Sequence, residues 1–208
     1  MIFNQSEISA LRAAVGEKLS YKRYIHTLGV EEMAKFLGRI LMPERLDELC
    51  VAALLHDIAK ELTYDLQIEL LASSDVLCTE EDAETKPALH SIAAIPVVRR
   101  DFSSYVTDDI LSAVANHTLG RANMSIFDEI IFISDYSEAG RKYPSCQNVR
   151  EYLLNNVRDD NTRDANLNVL HTASLNAINS TIESLASRGE KIHSQTFLAK
   201  AYFEGIIK

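Results

Sequence analysis

His56 and Asp57 stand side by side at the end of an apolar run, Leu54-Leu55-His56-Asp57-Ile58-Ala59-Lys60. An imidazole nitrogen and a carboxylate oxygen offered together from one helix end are donors for a divalent cation. A dipeptide alone is a weak signal, because a half-buried His-Asp pair also serves simply to hydrogen-bond a helix end. Four more candidate ligands, His26, His90, His117 and Asp135, lie in or beside segments with helical spacing, so four of the six histidines join one candidate set. Mixed nitrogen and oxygen donors suit iron, manganese or zinc better than magnesium, which prefers oxygen and keeps several waters. Such a set meets the needs of phosphoanhydride cleavage, where phosphate charge is neutralised and a water is made nucleophilic near neutral pH. The pattern reads as a metal-dependent hydrolase.

The elements that must position these residues follow from apolar spacing, which is helical almost throughout. Ile8, Leu11, Val15 and Leu19 mark a first helix behind a capping box of Asn4 and Glu7. A second runs from about Tyr24 to Met42, carries His26 near its start and stops at Pro43, which opens the third. Leu46, Leu49, Ala53 and Leu54 are the buried face of that third helix, which delivers His56 and Asp57 near its C-terminal end. Lys60 follows one turn on, where helix-dipole stabilisation and phosphate binding weigh about equally.

After a short helix over Leu66 to Ala72, the acidic stretch Ser73 to Pro87 has no clear period and reads as a solvated loop, with a mobile cover as the minority reading. Helical texture resumes at Ala88, bends or ends near Pro96, and returns from Thr107 to His117. Ser125 and Asp128 start a helix through Ile130, Ile131 and Ile133 to Asp135 that closes at Gly140. A carboxylate on so apolar a helix costs free energy unless it is metal-bound or paired, with Arg141 or Lys142 as the simple ion-pair partner. The last long helix spans Asp160 to Ser187 and is structural, with His171 read as a satisfied histidine rather than a ligand.

The 208 residues, 47% hydrophobic, are enough for one sizeable core, so the expectation is an all-α, compact bundle of about eight to ten helices in a single domain over residues 1–208. A net charge of -9 argues against nucleic acid and anionic membrane as partners. Three cysteines without a C-x-x-C spacing suggest neither a disulfide framework nor a thiolate zinc site, which points to a reducing cytoplasm. No signal peptide pattern or membrane-length apolar run is read.

The order His26, His56-Asp57, Asp135 resembles the HD-domain metallophosphohydrolases. More closely, Tyr24-x-His26-Thr27-x-Gly29-Val30, Leu55-His56-Asp57-Ile58-Ala59-Lys60, His90, His117-Thr118-x-Gly120-Arg121-x-x-Met124-Ser125, Asp135-Tyr136-x-Glu138 and Arg141-x-Tyr143-Pro144 resemble the YqeK family over nearly the whole chain. Members are symmetrical bis(5'-nucleosyl)-tetraphosphatases that cut diadenosine tetraphosphate into two ADP with bound iron. Carried over, the resemblance implies a helical HD fold, one or two divalent ions (iron, with manganese or zinc as alternatives), a dinucleoside polyphosphate substrate and compatibility with a homodimer.

It further implies His26, His56, Asp57 and Asp135 as the core metal set, Asp57 bridging, with His90 and His117 on a second metal or the phosphates. Asp57, Asp135 and Lys60 take the catalytic roles. Arg23, Lys60 and Arg141 face phosphate oxygens, Arg121 does so or forms a surface salt bridge, and the segment Ile192 to Phe197, with His193 and Thr196, lies near the nucleoside. Ile58, Ala59 and Thr118 complete the substrate-facing set. Departures from the family pattern are Ala94 in place of glycine, Ser137 and Ala139 in place of isoleucine and proline, and Ser194 in place of proline; none removes a ligand. Competing readings are an HD-type reaction on a nucleoside monophosphate or cyclic nucleotide, separable by product identity, and a noncatalytic nucleotide sensor or partner for NAD biosynthesis, separable by absence of turnover.

Overall fold

Helix α1 (Gln5–Lys18) begins at the expected capping box: the Asn4 side chain accepts from the amides of Ser6 and Glu7, and Asn4 donates its own amide to Glu7. The computed structural model describes residues 2–207. Helix α2 (Tyr21–Leu41) starts three residues before the expected Tyr24, because the Ser20 hydroxyl accepts from the amide of Arg23 and caps it there. Arg23 and His26 thereby share its first two turns. Pro43 opens a single 3₁₀ turn ahead of α3 (Leu46–Leu55).

Every residue of α3 from Asp47 to Leu55 is buried, which makes it the central helix of the bundle. It packs against α1, α2, α7 (Asp108–Asn116) and α8 (Ile126–Ser137), each of which turns an apolar face inward. The amides after α3 make short i→i−3 bonds, Ile58 to Leu55 and Lys60 to Asp57, so the chain tightens where the His-Asp pair sits. Helix α4 (Tyr64–Ala72) then packs on α6 (Lys86–Asp101), and α6 on α7.

The structure corrects several expectations. The acidic stretch contains α5 (Glu80–Glu84), capped by Thr79 and Asp82 and tied at long range: Ser194 donates to Glu81 (2.9 Å from its amide, 2.6 Å from its hydroxyl), His193 faces Asp82 (3.1 Å) and Lys191 pairs with Glu84. Pro96 does not end α6, since proline's φ is helical and Val97 and Val98 beyond it are buried in the core. Helix α9 (Pro144–Asn156), with proline in its first turn, was not read from the sequence. Helix α10 (Arg163–Ser187) matches the long structural helix. The segment read only as a tail near the nucleoside enters α11 (Ser194–Ile206), whose N-cap is His193 accepting from the amide of Gln195.

The described residues hold eleven α-helices and no strand; the all-α expectation holds and the count runs just above its range. Among them no helix is long and apolar enough to cross a membrane, and Cys50, Cys78 and Cys146 are all free thiols.

Candidate metal centre and active site

Three histidines reach the centre in one way. His56 and His117 sit just past the last turns of α3 and α7, and His90 lies in the first turns of α6. In each, Nδ1–H donates to the carbonyl three residues back: Ala53 (2.6 Å), Val114 (2.7 Å) and Pro87 (3.0 Å). The ends of α3 and α7 leave carbonyls without intrahelical partners, and Pro87 in the first turn of α6 offers a second lone pair; in each case the carbonyl, which can only accept, selects the tautomer. Nε2 is left unprotonated and turned inward, the form a metal requires.

His26 is held differently. Its Nδ1–H faces Glu138 Oε1 at 3.2 Å, so a buried carboxylate orients the ring from behind. Glu138 closes the turn after α8 and also accepts from the amide of Gly140. A Cβ at Gly29 would run into the Glu138 carboxylate, so glycine leaves room for that side chain behind His26. Glu138 was quoted within the motif but given no role. The signal available was its spacing, three residues after Asp135.

The two oxygens of Asp57 divide the centre. Oδ2 faces His56 Nε2 (3.4 Å) and His26 Nε2 (3.6 Å), and accepts from Arg23 (2.7 Å); Oδ1 faces His90 Nε2 (3.1 Å) and His117 Nε2 (3.5 Å). Asp135 Oδ1 approaches His26 Nε2 at 3.0 Å and His56 Nε2 at 3.9 Å, and also takes the guanidinium of Arg141. His26, His56 and Asp57 form one group of donors within 4.8 Å of one another, and Asp57, His90 and His117 form another. The Nε2 atoms of His26 and His56 are buried beside carboxylate oxygens, a meeting that calls for positive charge between them, either a proton or a bound cation. The residues fit a divalent metal.

The electrostatics agree. Burial pushes Asp57 and Asp135 upward, yet the surrounding imidazoles, and Arg141 at Asp135, hold both well below the usual carboxylate range. Burial drives His90 down to about 4, Asp57 opposing and Lys60 reinforcing, so this ring is neutral at pH 7. His26 is raised to about 10 against burial by Asp135, Asp57 and Glu138. Without metal, a proton on His26 supplies the missing positive charge, and metal binding displaces it.

The remaining residues divide into those brought to the centre and those held apart. Lys60 Nζ lies 3.3 Å from both ring nitrogens of His90, and burial lowers its pKa while Asp57 and Asp135 oppose. The Thr118 hydroxyl is 3.0 Å from His117 Nε2. Ile58 and Ala59 are buried in the turn beneath Asp57. His193 and Thr196 line a cleft of 390 Å³ beside Lys86, Pro87 and Thr118. Arg121 pairs instead with Asp128 (2.8 Å), and among the described residues nothing joins it to the cluster. His171 pairs with Glu129 (2.9 Å) away from the centre. Of the departures, Ala94 is buried in α6, Ser137 bonds back to Ile133 and Ser194 holds Glu81, while Ala139 lines a cleft with His26 and Glu138.

Comparison with known proteins agrees with this geometry. The HD domain model matches residues 23–140, from Arg23 to the glycine that binds Glu138, which spans more than half of the chain. The symmetrical bis(5'-nucleosyl)-tetraphosphatase of Halalkalibacterium halodurans is 33% identical over 64% of this chain and 69% of its own. The chain belongs to the YqeK family of HD-domain proteins. The Bacillus subtilis protein of the same name is 27% identical over 89% of this chain and 91% of its own. A crystal structure described as a predicted HD superfamily hydrolase involved in NAD metabolism, from Clostridium acetobutylicum, superposes with a TM-score of 0.81 at 28% identity, covering 98% of each chain. HD domains bind divalent metals, and the His/Asp cluster of this YqeK-family chain has groups that could hold one.

Proposed function

We propose that this YqeK-family protein hydrolyses diadenosine tetraphosphate, and related dinucleoside tetraphosphates, symmetrically to two nucleoside diphosphates. The observation that carries the reading is Asp57, whose two oxygens face two histidine pairs, joined in turn by the donor group His56, His117 and Asp135, and so can serve two adjoining positive positions. A tetraphosphate needs such a paired positive centre at its middle.

We assign His26, His56, Asp57 and Asp135 to one divalent ion, iron by the family reading, with manganese or zinc compatible with the same donors. Asp57, His90 and His117 hold a second ion or the phosphates. A bound ion there supplies Lewis acidity toward phosphoryl oxygen and makes a water nucleophilic at neutral pH. The protein's groups do the rest. Arg23 and Arg141, each already paired to a ligand carboxylate, turn their remaining donors to phosphate oxygens. Among the described residues the ion pairs of Asp135 all use Oδ1, which leaves Oδ2 to orient the attacking water by a hydrogen bond. Lys60, whose Nζ stands 3.3 Å from the His90 ring, is the group we assign to neutralise the charge of the leaving diphosphate.

The deciding experiment is to load the protein with ferrous iron, supply diadenosine tetraphosphate and separate products by anion exchange. ADP alone is expected. AMP with ATP overturns the position of the cut, and absence of turnover with iron, manganese and zinc overturns the substrate.

A further inference from the structure

A second cleft, of 440 Å³, opens beside the one lined by His193 and Thr196. Its inner end is formed by Asp135 and Arg141, so it begins at the ligands themselves. The two clefts share only Thr181 and Leu185 of α10, which form a wall between them. Both volumes fall in the ~300–1,000 Å³ range of small-molecule sites.

We propose that this cleft, between the turn after α8, α9 and α10, holds the second nucleoside of the substrate, one nucleoside occupying each side of the cut. The inference rests on the dinucleoside tetraphosphatase reading and extends it to α10, which the sequence motifs do not reach. A symmetrical cut leaves a nucleoside diphosphate on each side of the centre; this cleft begins at Asp135, and the neighbouring one is lined by Pro87 and Thr118, which touch His90 and His117. The chemistry of the second suits a nucleoside. Tyr143 stands 71% exposed at its edge, an aromatic face with no core function that a base can stack on. Ser180, Thr181 and Ser184 present hydroxyls along one stretch of α10 to ribose and base edges. Arg141 at the inner end meets phosphate, and Arg188, which donates to Ser184 (2.6 Å), closes the outer rim.

Two variants test this on the iron-loaded protein. Tyr143→Ala removes the stacking face from an exposed position, and Ser184→Trp fills the cleft from another exposed position, so neither threatens the core. Loss of one stacked base raises KM for diadenosine tetraphosphate about ten-fold or more, with kcat changed far less. Calorimetry with ADP shows two molecules bound per chain in the wild type and one in Ser184→Trp. Unchanged KM in both variants with two ADP still bound overturns the proposal, as does a collapse of kcat accompanied by loss of metal. A wild type that takes up no dinucleoside tetraphosphate overturns the underlying function instead, and that outcome is read before either variant is made.

Discussion

Asp57 carries more of the chemistry than its neighbour His56, because its two oxygens face different partners. Asp57→Asn keeps the side-chain volume but replaces one oxygen with a donor and removes the charge. Metal content after gel filtration is expected to fall with activity, each by on the order of 10²-fold or more, while circular dichroism stays helical. Wild-type turnover in that variant would sink the assignment. Glu138 acts one step back, through His26 Nδ1. Glu138→Gln retains a weaker acceptor, and competitive titration against a chelator is expected to show metal affinity down about 10–100-fold. An unchanged titration would mean that packing alone sets the His26 ring.

At the scale of the elements, helix ends do the positioning. His56 and His117 are delivered where α3 and α7 run out of hydrogen-bond partners, and the leftover carbonyls fix their tautomers. Further from the site, α1 is joined to α2 by Arg12 and the buried Glu31, whose carboxylate also takes Lys35. Burial pushes Glu31 upward, but Arg12 and Lys35 outweigh it and its pKa lies below the ordinary 4.5. A depressed folded pKa contributes stability that is present above pH 4.5 and lost as pH falls through the folded value. Glu31→Gln is therefore expected to destabilise by ~1–3 kcal/mol at pH 7 and to flatten the fall of the urea midpoint below pH 4.5. A midpoint that falls as steeply as in the wild type would place the acid sensitivity elsewhere.

Across the whole molecule, the centre draws ligands from α2, α6 and α8 and from the ends of α3 and α7, so a bound ion ties most of the bundle together. An ion that binds only the folded chain stabilises it by about 2.7 kcal/mol at a hundred times its Kd. For a domain of this size that corresponds to roughly 5–10 °C in Tm. Scanning calorimetry before and after chelation is expected to show that drop, reversed by adding back iron. A Tm indifferent to metal would mean that His26 protonation alone satisfies the carboxylates.

Local chemistry made much of this protein legible in its sequence. The capping box at Asn4 and Glu7, the stop at Pro43, the cap at Ser125 and Asp128 and the ligand set each depend on residues a few positions apart or on side-chain type. What the chain could not reveal depends on partners distant along it. The acidic stretch becomes α5 partly because Ser194, His193 and Lys191 are waiting across the fold. Pro96 stays helical because the core beyond it holds Val97 and Val98, and α11 starts on a histidine, an uncommon cap. Glu138 becomes the support of His26 only where Gly29 leaves room for its carboxylate. Which residues can hold a metal was written in their types; how Asp57 divides them, and that a cleft opens from Asp135 and Arg141, was decided by packing, since only the folded chain places those distant side chains within a few ångströms of one another.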